Sequence, residues 1–381
     1  MRAIPDLGPV RAFLEPHHLE LGAHVAAFAA REIAPLPEPA DDAAGRRVAR
    51  ELLALLGRAG WFAAIADQHL RTCCLVREAL AAASPLADAV FALQALGTIP
   101  IVLAGSEEQK RRWVPAVLAG EAMAAFAMTE TDAGSDVAAI ATTARRDGET
   151  YVLDGLKTLI SNAGIADFYV VFASTDASRG NKGLSAFLVP AETPGLRFVR
   201  PQVLAAPHPL GEIAFTECRV PAASRLGAEG EGFKLGLTTL DRLRPTVGAA
   251  ACGMSARALN EALSHATVRH QFGRPLAEQQ LIQEKLARMA TDLTAARLLV
   301  YRAAWEKDRG AERITIEAAM AKAFATEAAQ RAVDDAVQIL GGRGVLADHP
   351  VDRLYRSVRS LRIYEGTTEI QYLVIAGQLL K

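Results

Sequence analysis

The sequence predicts an α+β fold that is mostly helical. An N-terminal helical domain (1–121) is followed by a middle antiparallel β-barrel or sandwich (122–230) and a C-terminal four-helix bundle (231–381). Two changes of texture support this. Apolar residues recur at helical spacing up to about residue 118, give way to short apolar runs separated by Gly and Pro, and return to helical spacing after Phe233. At 381 residues the chain exceeds one ordinary core, so two or three domains are expected.

In the first part, Leu21, Val25 and Phe28 share one helix face, as do Leu52, Leu55, Leu56 and Ala59. Pro35, Pro37 and Pro39 mark a loop, and Gly97 with Pro100 is read as another. Ser106 with Gln109 three residues on is a capping box that opens a short helix. In the middle part, Tyr151-Val-Leu alternates and Asp154-Gly155 reads as a turn. Phe168–Ala173, Leu184–Pro190 and Glu212–Val220 are further strands. In the last part, helices are expected over Phe233–Arg269, Ala277–Asp308, Ile316–Leu340 and Pro350–Leu361, with short links as in a bundle.

Composition excludes several classes of function. The 42 basic and 43 acidic residues leave a net charge of −1, too little field to hold nucleic acid. No apolar run is read as reaching the roughly 20 residues of a membrane span, and no signal peptide is seen, so a cytoplasmic protein is expected. Cys73, Cys74, Cys218 and Cys252 lack metal spacing and read as buried thiols of a reducing compartment. The histidines also lack metal spacing, and His17-His18 reads as solvated surface at a helix start.

The chemistry is expected in a few segments. Arg362-Ile-Tyr-Glu-Gly-Thr-Thr-Glu-Ile-Gln371 places Glu365 between an aromatic residue and a glycine, with hydroxyls at Thr367 and Thr368. A carboxylate partly withdrawn from water, aimed by a permissive backbone position, is a candidate general base. Thr129–Asp136 carries Ala133, Gly134 and Ser135, small enough for backbone N–H groups to approach a phosphate or a ring system; it also reads as a tight turn. Gly155–Asn162 ends in Ser161 and an amide, and could equally be a hairpin. Arg269-His-Gln-Phe-Gly-Arg-Pro275 is a donor-rich break between helices, suited to a pyrophosphate or to a plain connection. Gln338-Ile-Leu-Gly-Gly-Arg-Gly344 is a helix C-cap or a close backbone approach to a nucleotide. Arg353, Arg356, Arg359 and Arg362 form a basic stripe, solvated, paired with acids across a subunit contact, or serving cofactor or substrate phosphates.

Taken in this order, from about Leu19 to Leu379, the segments resemble the acyl-CoA dehydrogenase family of flavoproteins. The resemblance implies FAD between the β-domain and the bundle, and a homotetramer built as a dimer of dimers. By the same resemblance Glu365 matches the catalytic base. Thr129, Ser135, Ser161, Arg269, Gln271, Gln338, Gly341, Gly342 and Thr367 match cofactor contacts, some of them across a subunit boundary. Ser135, Asp241 and Arg244 match substrate positions. The implied reaction is α,β-dehydrogenation of an acyl thioester, on coenzyme A or an acyl carrier protein, to the trans-2-enoyl thioester, with an electron-transfer flavoprotein as acceptor. Isovaleryl- and long-chain-type members place the base one residue before the arginine; here Leu243 stands there. Other departures are Thr131-Asp132 for Pro-Gly, Leu159 for a flavin-facing tryptophan, and Ser357 for a common aspartate. Two alternatives stand beside this reading: a flavin oxidase or N-oxygenase on the same fold, and a catalytically silent relative acting in binding or assembly.

Overall fold

In the computed structural model, which describes residues 4–67 and 69–380, the chain opens with helices α1 (Pro16–Phe28), α2 (Asp42–Arg58), α3 (Ala63–Asp67), α4 (Leu70–Ala83), α5 (Pro85–Ala104) and α6 (Glu107–Leu118). Strands β1 (Ala124–Ala127), β2 (Thr143–Asp147), β3 (Thr150–Ser161), β4 (Phe168–Ser174), β5 (Leu184–Pro190), β6 (Leu196–Pro201), β7 (Leu210–Pro221) and β8 (Arg225–Leu226) follow. Helix α7 (Gly232–Val268), a small hairpin of β9 (His270–Gln271) and β10 (Arg274–Pro275), then α8 (Gln280–Asp308), α9 (Thr315–Leu340), α10 (Pro350–Leu361) and α11 (Thr368–Leu379) complete it. The helical, β, helical order is the expected one.

The packing falls into two compact units. The first joins 1–37, 69–88 and 241–381; the second joins 38–68 and 89–240. The core of the first is an alanine-rich layer. Ala249, Ala250, Ala258 and Ala262 of α7 meet Val300, Tyr301 and Ala304 of α8 and Ala318, Ala321, Ala325 and Ala329 of α9. Small side chains let the helix backbones come close. Gly253 shows the limit: a Cβ there would lie 2.1 Å from the Glu78 carbonyl oxygen, so α4 and α7 meet backbone to backbone.

The second unit holds the sheet, in the order β6-β7-β3-β2-β4-β5-β8, with β1 beside β4. Its pairings are antiparallel except that β4 runs parallel to β1 and touches β2 in parallel at one position. One face packs Tyr151, Val171, Phe187 and Phe215; the other packs Val170, Phe172 and Leu188 with Val117 and Leu235.

Ser106 and Gln109 form the expected reciprocal cap, with bonds of 3.2 and 2.8 Å. Other expectations need correction. Gly97 and Pro100 do not mark a loop; both lie inside α5. Gly97 is there for close packing, since a Cβ would come 2.5 Å from that of Ala124. Proline within a helix costs about 3 kcal/mol, while burying each of Val90, Phe91, Ile99 and Ile101 returns about 1.5–3 kcal/mol. The apolar length of this segment was also underestimated. α5 is long and apolar enough to cross a membrane by length and composition, but 72% of its apolar window is buried inside the protein, as in an ordinary core helix. Asp154-Gly155 is not a turn, because β3 runs through it as a bulge. A Cβ on Gly155 would meet Thr142 at 2.5 Å, and the Asp154 carboxylate accepts from the Glu217 N–H at 2.7 Å. The hairpin turn lies earlier, at Gly148 (φ 60°). His18 is not solvated. It is buried and its Nδ1 accepts from the Glu15 N–H at 3.2 Å, closing the cap of α1. α11 was not anticipated as a helix.

Candidate active site

Glu365 lies in the link between α10 and α11. The Ile363 and Tyr364 N–H groups both bond to the Ser360 carbonyl, and Thr368 N–H closes back on the Arg362 carbonyl at 3.0 Å. Thr367 caps α11, its hydroxyl accepting from Ile370 N–H at 3.3 Å. Two successive residues then take left-handed angles, Glu365 at φ 55° and Gly366 at φ 90°. For glutamate this costs about 1–2 kcal/mol, so the turn must be held by something outside itself. Four side-chain bonds hold it. Arg244 Nε donates to the Glu365 carbonyl (3.2 Å), Gln371 Nε2 to the Glu365 and Gly366 carbonyls (3.4 and 2.9 Å), and Lys322 Nζ to the Gly366 carbonyl (2.8 Å).

The Glu365 side chain is left free. The residue is half-buried, but its Oε2 is buried and has no hydrogen-bond partner. Burial raises its pKa above the usual glutamate range, against the pull of Arg77, Arg244 and Lys322 and with the help of Asp88. Two of those cations are already matched. Arg77 is bound bidentately by Asp88 (2.7 and 2.9 Å) and also donates to Thr246 Oγ1 at 2.9 Å. Arg244 pairs with Asp241, whose other oxygen accepts from Thr315 Oγ1 at 3.0 Å. Lys322 is fully buried, and burial pulls its pKa down to about 8.

Of the positions expected from the sequence, the structure therefore brings Asp241, Arg244, Glu365 and Thr367 together. It adds Arg77, Lys322 and Gln371, which sequence reasoning missed. Lys322 did leave a signal: it interrupts the Ala318, Ala319, Ala325, Ala329 face of α9 with a charge. Arg77 and Gln371 left none. Leu243 is buried and holds no proton.

A second group lies well away from this turn. Arg269 is roughly 37 Å along the rise of α7 from Arg244, where the hairpin of β9 and β10 begins. Gln271 is exposed, and Phe272 at the tip is held at φ 54° and is 95% exposed. Gln338, Gly341 and Gly342 are exposed at the end of α9. His265 senses both ends: burial first, then the charges of Arg343, Arg269 and His349, lower its pKa. Two of the four arginines of the basic stripe are paired with acids, Arg356 with Asp352 and Arg362 with Glu327 at 2.6 Å, while Arg353 donates to the Asp348 carbonyl at 3.1 Å.

The sheet-containing unit carries the remaining positions. The Thr129 carbonyl accepts from Thr158 N–H at 3.0 Å, which ties the segment to β3. Glu130 and Ala133 close a tight turn on each other. The Glu130 carboxylate accepts from Ala141 N–H, Thr142 N–H and the buried Lys157 ammonium at 2.7, 3.0 and 2.8 Å. Beyond the turn, Gly134 and Ser135 are exposed. Ser161 ends β3 and shares a 2.8 Å hydrogen bond with His208 Nε2. Burial and Arg46 depress the His208 pKa to about 4, so that ring is neutral at pH 7. Leu159, two residues before, is held at φ 54° and is 54% exposed.

Within each unit taken by itself, these residues have chemistry that a flavin nucleotide needs. A Cβ built at Gly134, Gly341 or Gly342 meets no atom within 4 Å, so backbone at all three places is open to a ligand. Open backbone, the Ser135 and Ser161 hydroxyls and an exposed leucine suit a planar ring system that needs donors at one edge and apolar contact on a face. The cationic end formed by Arg269 and Arg343 suits a pyrophosphate.

Comparison with known proteins agrees. Residues 15–121, 125–218 and 230–380 match the acyl-CoA dehydrogenase N-terminal, middle and C-terminal domains. The chain belongs to the acyl-CoA dehydrogenase family. It is 41% identical over 367 residues to the 3-(aryl)acrylate reductase of Clostridium sporogenes, covering 93% of this chain and 96% of that one. Butyryl-CoA dehydrogenase from Megasphaera elsdenii superposes with a TM-score of 0.90 at 34% identity, covering 97% of this chain and 99% of that one. A chain in the structure of the electron transferring flavoprotein of Acidaminococcus fermentans does so at 0.91 and 35%, with the same coverage. The protein is thus an FAD-dependent oxidoreductase of the acyl-CoA dehydrogenase type.

Proposed function

We propose that this chain dehydrogenates an acyl thioester at its α,β bond to the trans-2-enoyl thioester, with Glu365 as the general base. The observation that carries this reading is the buried, unpartnered Oε2 of Glu365 on a turn held only through its backbone carbonyls. Burial raises the carboxyl toward the working pH, where a base is most efficient. Glu365 takes the α-proton, and its backbone N–H is the donor proposed for the thioester oxygen as enolate charge develops. Arg244 and Asp241 line the acyl side and hold the turn. Bound FAD supplies the acceptor for the β-hydrogen and its electron pair. Thr129, Ser135, Ser161 and Thr367 are its proposed contacts within a protomer. Arg269, Gln271, Gln338, Gly341 and Gly342 are those proposed across a subunit boundary.

The reading extends to a homotetramer, an electron-transfer flavoprotein as oxidant, coenzyme A or an acyl carrier protein as the thiol, and domains of 1–121, 122–230 and 231–381. The test is Glu365→Gln, which is expected to keep FAD bound while slowing flavin bleaching by butyryl-CoA about 10²–10⁴-fold. An unchanged bleaching rate refutes the assignment.

A second reading runs the same chemistry backwards. The Clostridium sporogenes relative is named a reductase of 3-(aryl)acrylate, and a carboxyl whose pKa is raised by burial is better suited to giving a proton to the α-carbon than an ordinary glutamate. Faster turnover of an enoyl or arylacryloyl thioester with a reductant than of the saturated thioester with an oxidant would select it.

A further inference from the structure

We propose that Lys322 is a positioning residue for Glu365: it pins the carbonyl after the base, holds the left-handed turn that aims the carboxyl, and supplies the buried positive charge that governs its ionisation. The proposal rests on the reading of Glu365 as base.

The argument begins with what the lysine lacks. Its hydrogen bond goes to a backbone carbonyl, that of Gly366 at 2.8 Å. The other fully buried lysine, Lys157, is held by a carboxylate at 2.8 Å. A buried ammonium without such a partner is costly, and on the alanine face of α9 an apolar side chain would fill the same layer without that cost. The charge therefore has a use beyond packing.

The groups facing Glu365 show what that use is. Arg77 of α4 is neutralised by Asp88 at the start of α5, and Arg244 of α7 by Asp241. Glu327 of α9 is tied to Arg362 and to Thr368 Oγ1. Glu369, in the first turn of α11, is exposed, and Tyr364, next to the base, is a phenol whose pKa burial raises further. Each pair sums to no net charge, and its field fades faster than that of a single ion. Of the three cations that act on the carboxyl, Lys322 is bonded to a carbonyl and not to a carboxylate, and it and Glu365 each lie among the charges that shift the other.

The bond to Gly366 adds geometry. A Cβ on residue 366 would come 2.6 Å from Gln371 Nε2, so the amide packs against the glycine while both Gln371 and Lys322 donate to its carbonyl. A lysine that only packs would change stability and overall rate when replaced. A lysine that sets the ionisation of the base moves a pH midpoint.

The test compares Lys322→Met, Lys322→Gln and Lys322→Arg in the FAD-loaded enzyme, with butyryl-CoA as probe. Two midpoints are read: the acidic limb of kcat/KM, and the infrared carbonyl band of protonated Glu365, identified by its loss in Glu365→Gln and followed in the apoprotein as well. Removing the charge is expected to move both midpoints up by about 1–3 pH units, the effect of an opposite charge at close range; Lys322→Arg restores them. Lys322→Gln keeps a donor without the charge and carries the test if Lys322→Met does not fold. Midpoints that stay in place in the folded Gln or Met variant overturn the proposal. Turnover that survives Glu365→Gln overturns the assignment of the base instead, so the two failures are distinct.

Discussion

Replacing Arg297 by methionine tests the argument about buried charge in the helical unit. Glu78 of α4 is 0% exposed and Arg297 of α8 is 3% exposed. The arginine donates through Nε at 2.8 Å and lies at 2.6 Å through Nη2, both to the same carboxylate oxygen, while Tyr301 OH donates to the other at 3.0 Å. Methionine leaves the carboxylate with the tyrosine as its one polar partner of the three. An uncompensated buried charge of this kind costs about 3–5 kcal/mol. At about 2–4 °C per kcal/mol for a unit of about 200 residues, the unfolding midpoint should fall by roughly 6–20 °C. The assay is thermal unfolding followed by circular dichroism. The double variant Glu78→Leu/Arg297→Met removes both charges and is expected to recover most of the loss. A single variant that shifts the midpoint by less than about 2 °C, or a double variant as unstable as the single, refutes the reasoning.

Other outcomes follow from the same structure. Burial first, then Arg71, depresses the His18 pKa to about 4, below the 6.5 of the unfolded chain. Its contribution is therefore intact above pH 6.5 and is lost as the pH falls toward 4, by up to about 3 kcal/mol; His18→Asn should flatten the acid side of a stability-against-pH curve. Gly253→Ala and Gly341→Ala separate two costs of a methyl group. At 253 the Cβ meets a carbonyl at 2.1 Å, which should cost about 3 kcal/mol or more. At 341 it meets open space and the loss is the penalty of the backbone angles alone (φ 58°, ψ −136°), about 1–3 kcal/mol. Equal losses in denaturant titration would show that the close approach of α4 and α7 is not tight.

The long helices were legible because one buried face imposes a 3.6-residue period, as along α8 and α9, and Ser106 and Gln109 announced a start through their own side-chain chemistry. α11 was not, because its inward residues are Thr368 and Gln371 while Tyr372, Leu373 and Leu379 face outward, the reverse of the pattern that marks a soluble helix. Pro100 and Asp154-Gly155 misled for a related reason. A local breaker is overridden where burial or a ladder on both sides returns more than it removes. In the candidate site, Glu365 was visible from its neighbours in sequence. The groups that hold it come from Arg244, Lys322 and Gln371, and no spacing along a chain says that three side chains will meet on two carbonyl oxygens.

The order in which the polypeptide visits its two packing units has a consequence for synthesis. Residues 38–68 and 89–240 form one compact unit whose internal contacts are complete once residue 240 has been made, so the sheet can settle early. α4 is buried on nearly every side, and much of what covers it lies beyond residue 241. At about 5–20 residues per second, the last 140 residues take roughly 7–28 s to emerge. For that interval Leu70, Cys74 and Leu75 of α4 lack the core partners that α7 and α8 supply, which makes the nascent chain a ready client for a chaperone.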